Sequence, residues 1–316
     1  MARTSTDQVT WDPCAYVPGL ASIRDAARDG DWPGVRGKLD DCPSADALTF
    51  AVTMLADQPG IERLLERVVA DAPDDVLARA VLGAREVVLA WDARGGGRAS
   101  TVGARQFDMF FEHLERAERL LIDVCADRPD LAPAWTSRLM TARGLELGLG
   151  ETRRRYDRLA AHHPHHLAAQ AQLLQRLCPK WGGSWEQALG FAREQAAAAA
   201  PGSPSGALVA IVHFERAIER DAGAPPVSSA QVRDELVEAA LRSVWHQDAH
   251  LGVEEVAAHS VFALAFSVGG HDRHAAPHFR VLAGRGARSF WSYYDEPSAV
   301  YVASRDEAFA AERSAR

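Results

Sequence analysis

Lysine is almost missing from this chain. Only Lys38 and Lys180 occur among 35 basic residues, and the rest are arginine. We read that skew as a G+C-rich coding bias with little functional content. Cysteine is scarce as well: Cys14, Cys42, Cys125 and Cys178 stand far apart, with no C-x-x-C pair. Zinc ribbons and thioredoxin-like sites need close pairs, and a sparse set fits a reduced, cytoplasmic compartment better than a disulfide scaffold. The longest apolar run, Val256 to Val268, is interrupted by His259, Ser260 and Ser267 and is too short to span a bilayer. Met1 to Asp12 lacks the apolar core of a signal peptide. A formal net charge of −8 argues against the sustained basic surface that sequence-independent nucleic-acid binding requires. No G-x-S-x-G, P-loop or Rossmann glycine pattern occurs, and Gly95-Gly96-Gly97 lacks the following Lys-Ser/Thr. No cofactor is expected, and the sequence names no reaction.

Alanine is what the chain has in quantity, at 58 of its 316 positions. Large apolar residues are correspondingly few, so the core is built from small, helix-favouring contacts. Apolar residues recur at the helical period. Leu64, Leu65, Val68 and Val69 form one stripe of Glu62–Ala70, and Leu114, Ala117, Leu120, Leu121 and Val124 form another. Leu236, Val237, Ala240, Leu241 and Val244 do the same over Asp234–Trp245. No segment alternates at period two, so the chain reads as all-α, with about fourteen helices separated by Gly- and Pro-rich turns.

Four of these helices close on a proline, at Pro73, Pro129, Pro164 and Pro201, with spacings of 56, 35 and 37 residues. One helical hairpin cannot bury its apolar face alone. Stacked hairpins need small residues where helices cross and a stop after the second helix. Between Pro129 and Pro164, Ala134 and Trp135 open a first helix, Gly144 lies near its end and Gly150 begins the link. Tyr156, Leu159 and Ala160 then supply a packing face. The 56-residue interval reads as one repeat with an insertion around 94–102, followed by a long helix over 105–126. Over residues 60–220 this pattern resembles tetratricopeptide-like helical hairpin proteins. The step Trp181-Gly182-Gly183-Ser184, followed by Phe191-Ala192-Arg193, resembles a bacterial group of such proteins. That resemblance implies fold and kinship and carries no reaction.

Each candidate site has a bland alternative. In Trp181-Gly182-Gly183-Ser184 the glycines let backbone approach a ligand beside a rigid ring, or merely turn the chain, with Ser184 as an N-cap. His213 and Glu215, on a helix expected over 205–220, form an inward polar site; Glu219 shares a face with Glu215, while Arg216 and Arg220 neutralise both on a solvated surface. Eleven of twelve histidines fall at or after His162. His162-His163-Pro164-His165-His166 reads as a solvated turn. His246 and His250 are four apart without H-E-x-x-H. His271, His274 and His278 are the best metal constellation, although Pro277 interrupts them. Arg153-Arg154-Arg155 with Arg158 either meets an acidic partner or phosphate or lies on a solvated helix face. Phe290, Trp291, Tyr293 and Tyr294 either anchor an interface, including that of a homodimer, or plug the end of the stack.

The sequence therefore predicts a right-handed superhelical α-solenoid of stacked antiparallel helix pairs. Residues 1–40 would form a leading cap, 41–270 the hairpins and 271–316 an aromatic-rich trailing cap. The expected function is a non-enzymatic module in the bacterial cytoplasm, holding a peptide or protein in a concave groove, with neither nucleic acid nor membrane as partner. The alternative is a small-molecule-binding protein or enzyme using a groove near Trp181, His213 and the C-terminal histidines.

Overall fold

A computed structural model of the chain describes residues 9–97, 101–219 and 226–314. The described residues are mostly α-helical. Their one extended pairing is an isolated parallel bridge between Thr10 and Arg285. None of their helices is long and apolar enough to cross a membrane. The chain divides into two compact units.

One unit is Pro18–Leu177. It holds α1 (Leu20–Arg28), α2 (Trp32–Asp40), α3 (Ala45–Ala56), α4 (Ile61–Asp71), α5 (Val76–Arg94), α6 (Ala104–Asp127), α7 (Ala132–Gly144), α8 (Gly148–Ala160) and α9 (Leu167–Leu177). From α4 to α9 each helix packs on the next, and α3, α5, α7 and α9 also pack on one another in order. Helix α7 touches α3, α5, α6, α8 and α9, which is why it has almost no exposed face: Ala132, Ala134, Leu139 and Ala142 are buried, and so are the polar Thr136, Arg138 and Thr141. The crossings are close. A Cβ at Gly83 would lie 2.6 Å from the Leu121 side chain, and one at Gly144 would collide with Leu114 and Phe110.

The closing prolines have a shared local geometry. Ala72 (φ −136°, ψ 74°) and Arg128 (φ −134°, ψ 80°) end α4 and α6 in nearly identical conformations, as expected of a residue forced out of the helical region before proline. The third residue of each Pro-x-x turn then donates its amide back across it. Asp75 bonds to Ala72, Leu131 to Arg128, His166 to His163 and Ser203 to Ala200, at 3.0–3.3 Å. The same residue stands where the next helix begins. Asp75 caps α5 by accepting from the Ala78 amide at 3.1 Å, and His166 does so for α9 through Nδ1 on the Ala169 amide at 3.2 Å. The histidine run is thus partly internal, because His166 is buried and its Nε2 lies 2.9 Å from Thr49 Oγ1. With Nδ1 accepting, Nε2 carries the proton and Thr49 receives it.

The other unit comprises the described residues through Val17 and from Cys178 onward. Its helices are α10 (Trp185–Ala198), α11 (Ala207–Ile218), α12 (Ala230–Arg242), α13 (Glu255–Val268), α14 (Asp272–Leu282), α15 (Arg288–Trp291) and α16 (Pro297–Arg313). The apolar run of the sequence is α13, buried at Val256 and throughout 258–266 and packed against α11, α12, α14 and α16. Thr10 donates to the Gly284 carbonyl at 2.8 Å and accepts from Gly286 at 3.0 Å, tying the leading segment to this unit. The aromatic end is filled from within: Trp291 is buried against Trp11, Phe279 and Tyr301, with ring centroids 6.4, 6.2 and 4.9 Å away.

Several expected boundaries move. Helix α12 stops at Arg242, three residues before Trp245, because Ser243 leaves the helical region (φ −119°, ψ −98°) and turns its Oγ back to the Ala239 carbonyl at 2.6 Å. Gly148 (φ 84°) already opens α8, so Gly150 lies inside the helix. Pro277 does not interrupt α14, which runs through it. The end of the expected 205–220 helix, Arg220, lies outside the described residues; α11 follows a 3-10 turn, Pro204–Gly206, and is described to Ile218.

Candidate functional site

The C-terminal ends of α6 and α8 and the first turns of α7 enclose a cleft of about 480 Å³, within the size range of ligand sites. Ile122, Cys125 and Ala126 come from α6, Pro129 from the turn, Trp135 and Arg138 from α7, and Arg154 and Arg158 from α8, with Ala161 and His162 beyond it. The helical period sets this arrangement. Arg154 and Arg158 are one turn apart on the same face of α8, and the Pro129 turn presents the start of α7 beside the end of α6.

Beneath the cleft lies a buried ionic network. Glu118 of α6 accepts from Arg138 at 2.8 Å, from Arg155 at 2.8 and 2.9 Å, and from the Thr141 hydroxyl at 2.5 Å. Burial pushes the Glu118 carboxyl up, but Arg155, Thr141 and Arg138 outweigh it and hold the group below its ordinary range. Arg154 forks onto Glu151 with two bonds of 2.8 Å. Its hydrogen bonding, together with Arg155, holds the Glu151 carboxyl down at about 2 against a smaller effect of burial. The Arg158 side chain is exposed and has no hydrogen bond or ion pair among the described residues. Trp135 donates Nε1 to the Pro129 carbonyl at 2.8 Å, and the Arg138 guanidinium lies 5.2 Å from its ring centre. Cys125 is buried, which pushes its thiol up to about 11, so it stands protonated.

The basic cluster noted in the sequence therefore splits. Arg155 is buried in the network, contrary to a wholly solvated face, while Arg154 and Arg158 are exposed at the cleft. Sequence reasoning missed Glu118, Arg138 and Thr141. Their only signal was a carboxylate on the α6 stripe beside a first-helix Arg and Thr.

The other candidates lie in the second unit and are occupied by protein groups. Trp181 ends a 3-10 turn, Pro179–Trp181, and Gly182 takes a left-handed conformation (φ 83°). The amides of Trp181, Gly182 and Gly183 bond back to Cys178 and Pro179. Ser184 caps α10 through the Gln187 amide at 3.1 Å. Lys180, the middle residue of that 3-10 turn, reaches Glu215 at 2.6 Å, and Tyr293 donates to the same carboxylate at 2.8 Å. His213 faces elsewhere: Arg216 donates to its Nδ1 at 3.3 Å, and its Nε2 lies 3.1 Å from Glu235. Burial pushes the Glu235 carboxyl up, but His213 and Arg193 bring it down to about 2. Glu215 is buried and Glu219 exposed, so the two acids do not form a pair.

Among the described residues no group of three or more His, Cys, Asp or Glu is placed to hold a metal. His271 Nε2 donates to the Val227 carbonyl at 3.1 Å, and His274 stacks on Phe266 at 5.5 Å. His278 instead meets His259 of α13, Nδ1 to Nδ1, at 3.0 Å. His246 and His250 both lie beyond α12 and share no helix face. The chain matches no family model, no curated protein and no solved structure.

Proposed function

We propose that the chain is a non-enzymatic interaction module of tetratricopeptide-like stacked hairpins, and that the α6–α8 cleft holds a segment of a protein partner. One observation carries this reading. The cleft presents an exposed cation without a carboxylate partner, Arg158, beside an apolar wall that includes Trp135 and the 46%-exposed Ile122. The groups with chemistry to offer elsewhere, His213 and Glu215, spend it on protein partners. The hairpin reading is supported by the repeated Pro-x-x turn and by packing of each odd-numbered helix from α3 to α9 on the next. A reduced cytoplasmic setting accords with four free cysteines. The alternative groove near Trp181 and His213 draws no support from side chains already paired.

The test is photo-crosslinking in living cells, with benzoylphenylalanine at Ile122 and, as control, at Val268, also exposed. A discrete protein adduct at Ile122 and none at Val268 is the expected result. No adduct, or equal adducts at both positions, overturns the reading.

A further inference from the structure

Resting on that reading of the cleft as the binding surface, we infer that its ligand is a single carboxylate carried on an apolar body of arylalkyl size. The charge count sets the first half. Arg138 and Arg155 share Glu118, and Arg154 is held by Glu151 through both of its bonds. Arg158 is left as the fork that can receive two oxygens of one monoanion. A dianion would meet only that one uncommitted guanidinium. His162, at the rim, lies in the field of Asp130.

The walls set the second half. Ile122, Ala126, Pro129 and Ala161 offer carbon, and Trp135 has spent its one donor on Pro129, so it offers only its ring. Cys125, buried among the lining residues, adds no charge. A carboxylate of this kind comes either as a free small acid or as the C-terminal residue of a partner chain.

Isoleucine δ1-methyl NMR reads the site cleanly, because the chain has five isoleucines, Ile23, Ile61, Ile122, Ile211 and Ile218, of which only Ile122 lines the cleft. The probes are 4-phenylbutyrate, 4-phenylbutan-1-ol, phenyl phosphate, and acetyl-Gly-Gly-Phe as free acid and as amide. We expect saturable movement of the Ile122 methyl by at least one of the two carboxylates, with a Kd on the order of 1 mM. The matching alcohol or amide should bind about tenfold more weakly. Arg158→Gln, an exposed change that leaves the fold intact, should bring the acid down to the level of its neutral counterpart.

Movement by phenylbutyrate alone assigns a free acid; movement by the peptide acid alone assigns a chain terminus; both results support the carboxylate chemistry. Equal binding of acid and neutral probe, tighter binding of phenyl phosphate, indifference to Arg158→Gln, or a still Ile122 methyl overturns it. An Ile122 crosslink would survive such a failure, and a missing crosslink would leave the carboxylate result standing, so the two readings fail separately.

Discussion

Lowering the pH from 7 to 5 loads the buried histidine pair of α13 and α14. His259 and His278 meet at 3.0 Å inside an aromatic box, with the His278 ring 4.7 Å from Trp245 and 5.2 Å from Phe262. Burial, with a smaller contribution from the Arg285 charge, holds His259 down at about 4. Burial, with His259 and His274 nearby, holds His278 well below its ordinary value. In the unfolded chain both titrate near 6.5. Between those values the unfolded state takes up protons that the folded state refuses. Stability is therefore full above about pH 6.5 and falls as pH drops toward the folded value. At pH 5, about 1.5 units below the unfolded pKa, His259 alone removes about 2 kcal/mol, and His278 acts in the same direction. Against a typical stability of about 5–15 kcal/mol this is a large share.

The assay is urea unfolding followed by circular dichroism at pH 7, 6 and 5, for the wild type and for His278→Phe. Phenylalanine keeps a flat ring against Phe262 and Trp245 and removes one titration. The wild type should lose stability steadily, and the variant's slope should be shallower by about 1.4 kcal/mol per pH unit. His166, also lowered by burial, contributes to both proteins and cancels in the difference. Glu235, held at about 2, loses its contribution only below the ordinary carboxylate range. A wild-type stability that is flat from pH 7 to 5, or equal slopes in the two proteins, would refute the reasoning.

Three substitutions test the packing argument by the same unfolding measurement. Asp75→Ala removes the α5 cap and leaves the Trp32 Nε1 donor and Arg36, now 2.8 and 3.3 Å from the carboxylate, without it; a loss of about 2–4 kcal/mol is expected. Glu118→Gln leaves the buried Arg138 without a carboxylate and Arg155 with Glu151 alone, and should cost about 3–5 kcal/mol, whereas a loss below about 1 kcal/mol would mean that water already solvates Arg138. Ser184→Ala should cost about 1 kcal/mol through its cap and leave the Ile122 methyl titration unmoved; altered ligand binding would return Trp181–Ser184 to the list of sites.

Periodicity and turn chemistry are local, and what they dictate was legible. Helices expected over 62–70 and 105–126 appear as α4 and α6, within a residue or so at each end. The prolines mark real turns because the residue before each is sterically barred from continuing a helix. The role of His166 was hidden because imidazole is an uncommon cap, visible only once Asp75 is seen at the equivalent place in its own turn. Arg155 and Arg158 look alike in sequence. Which of them turns inward is decided by Glu118, 37 residues before Arg155, and no local pattern encodes that pairing. The same holds for His278, whose partner lies on the preceding helix while His271 and His274 point to other groups. The cleft drew on residues already noted, Arg154, Arg158 and Trp135, but their convergence comes from the packing of α6, α7 and α8.

The central question is whether the cleft is where this chain binds. That is measured by repeating the Ile122 crosslink in cells that carry Arg158→Glu, a charge reversal at an exposed position. A discrete adduct in the wild type that disappears in the variant, while the protein's level is unchanged, is the expected result. An adduct that survives the reversal undiminished would contradict it.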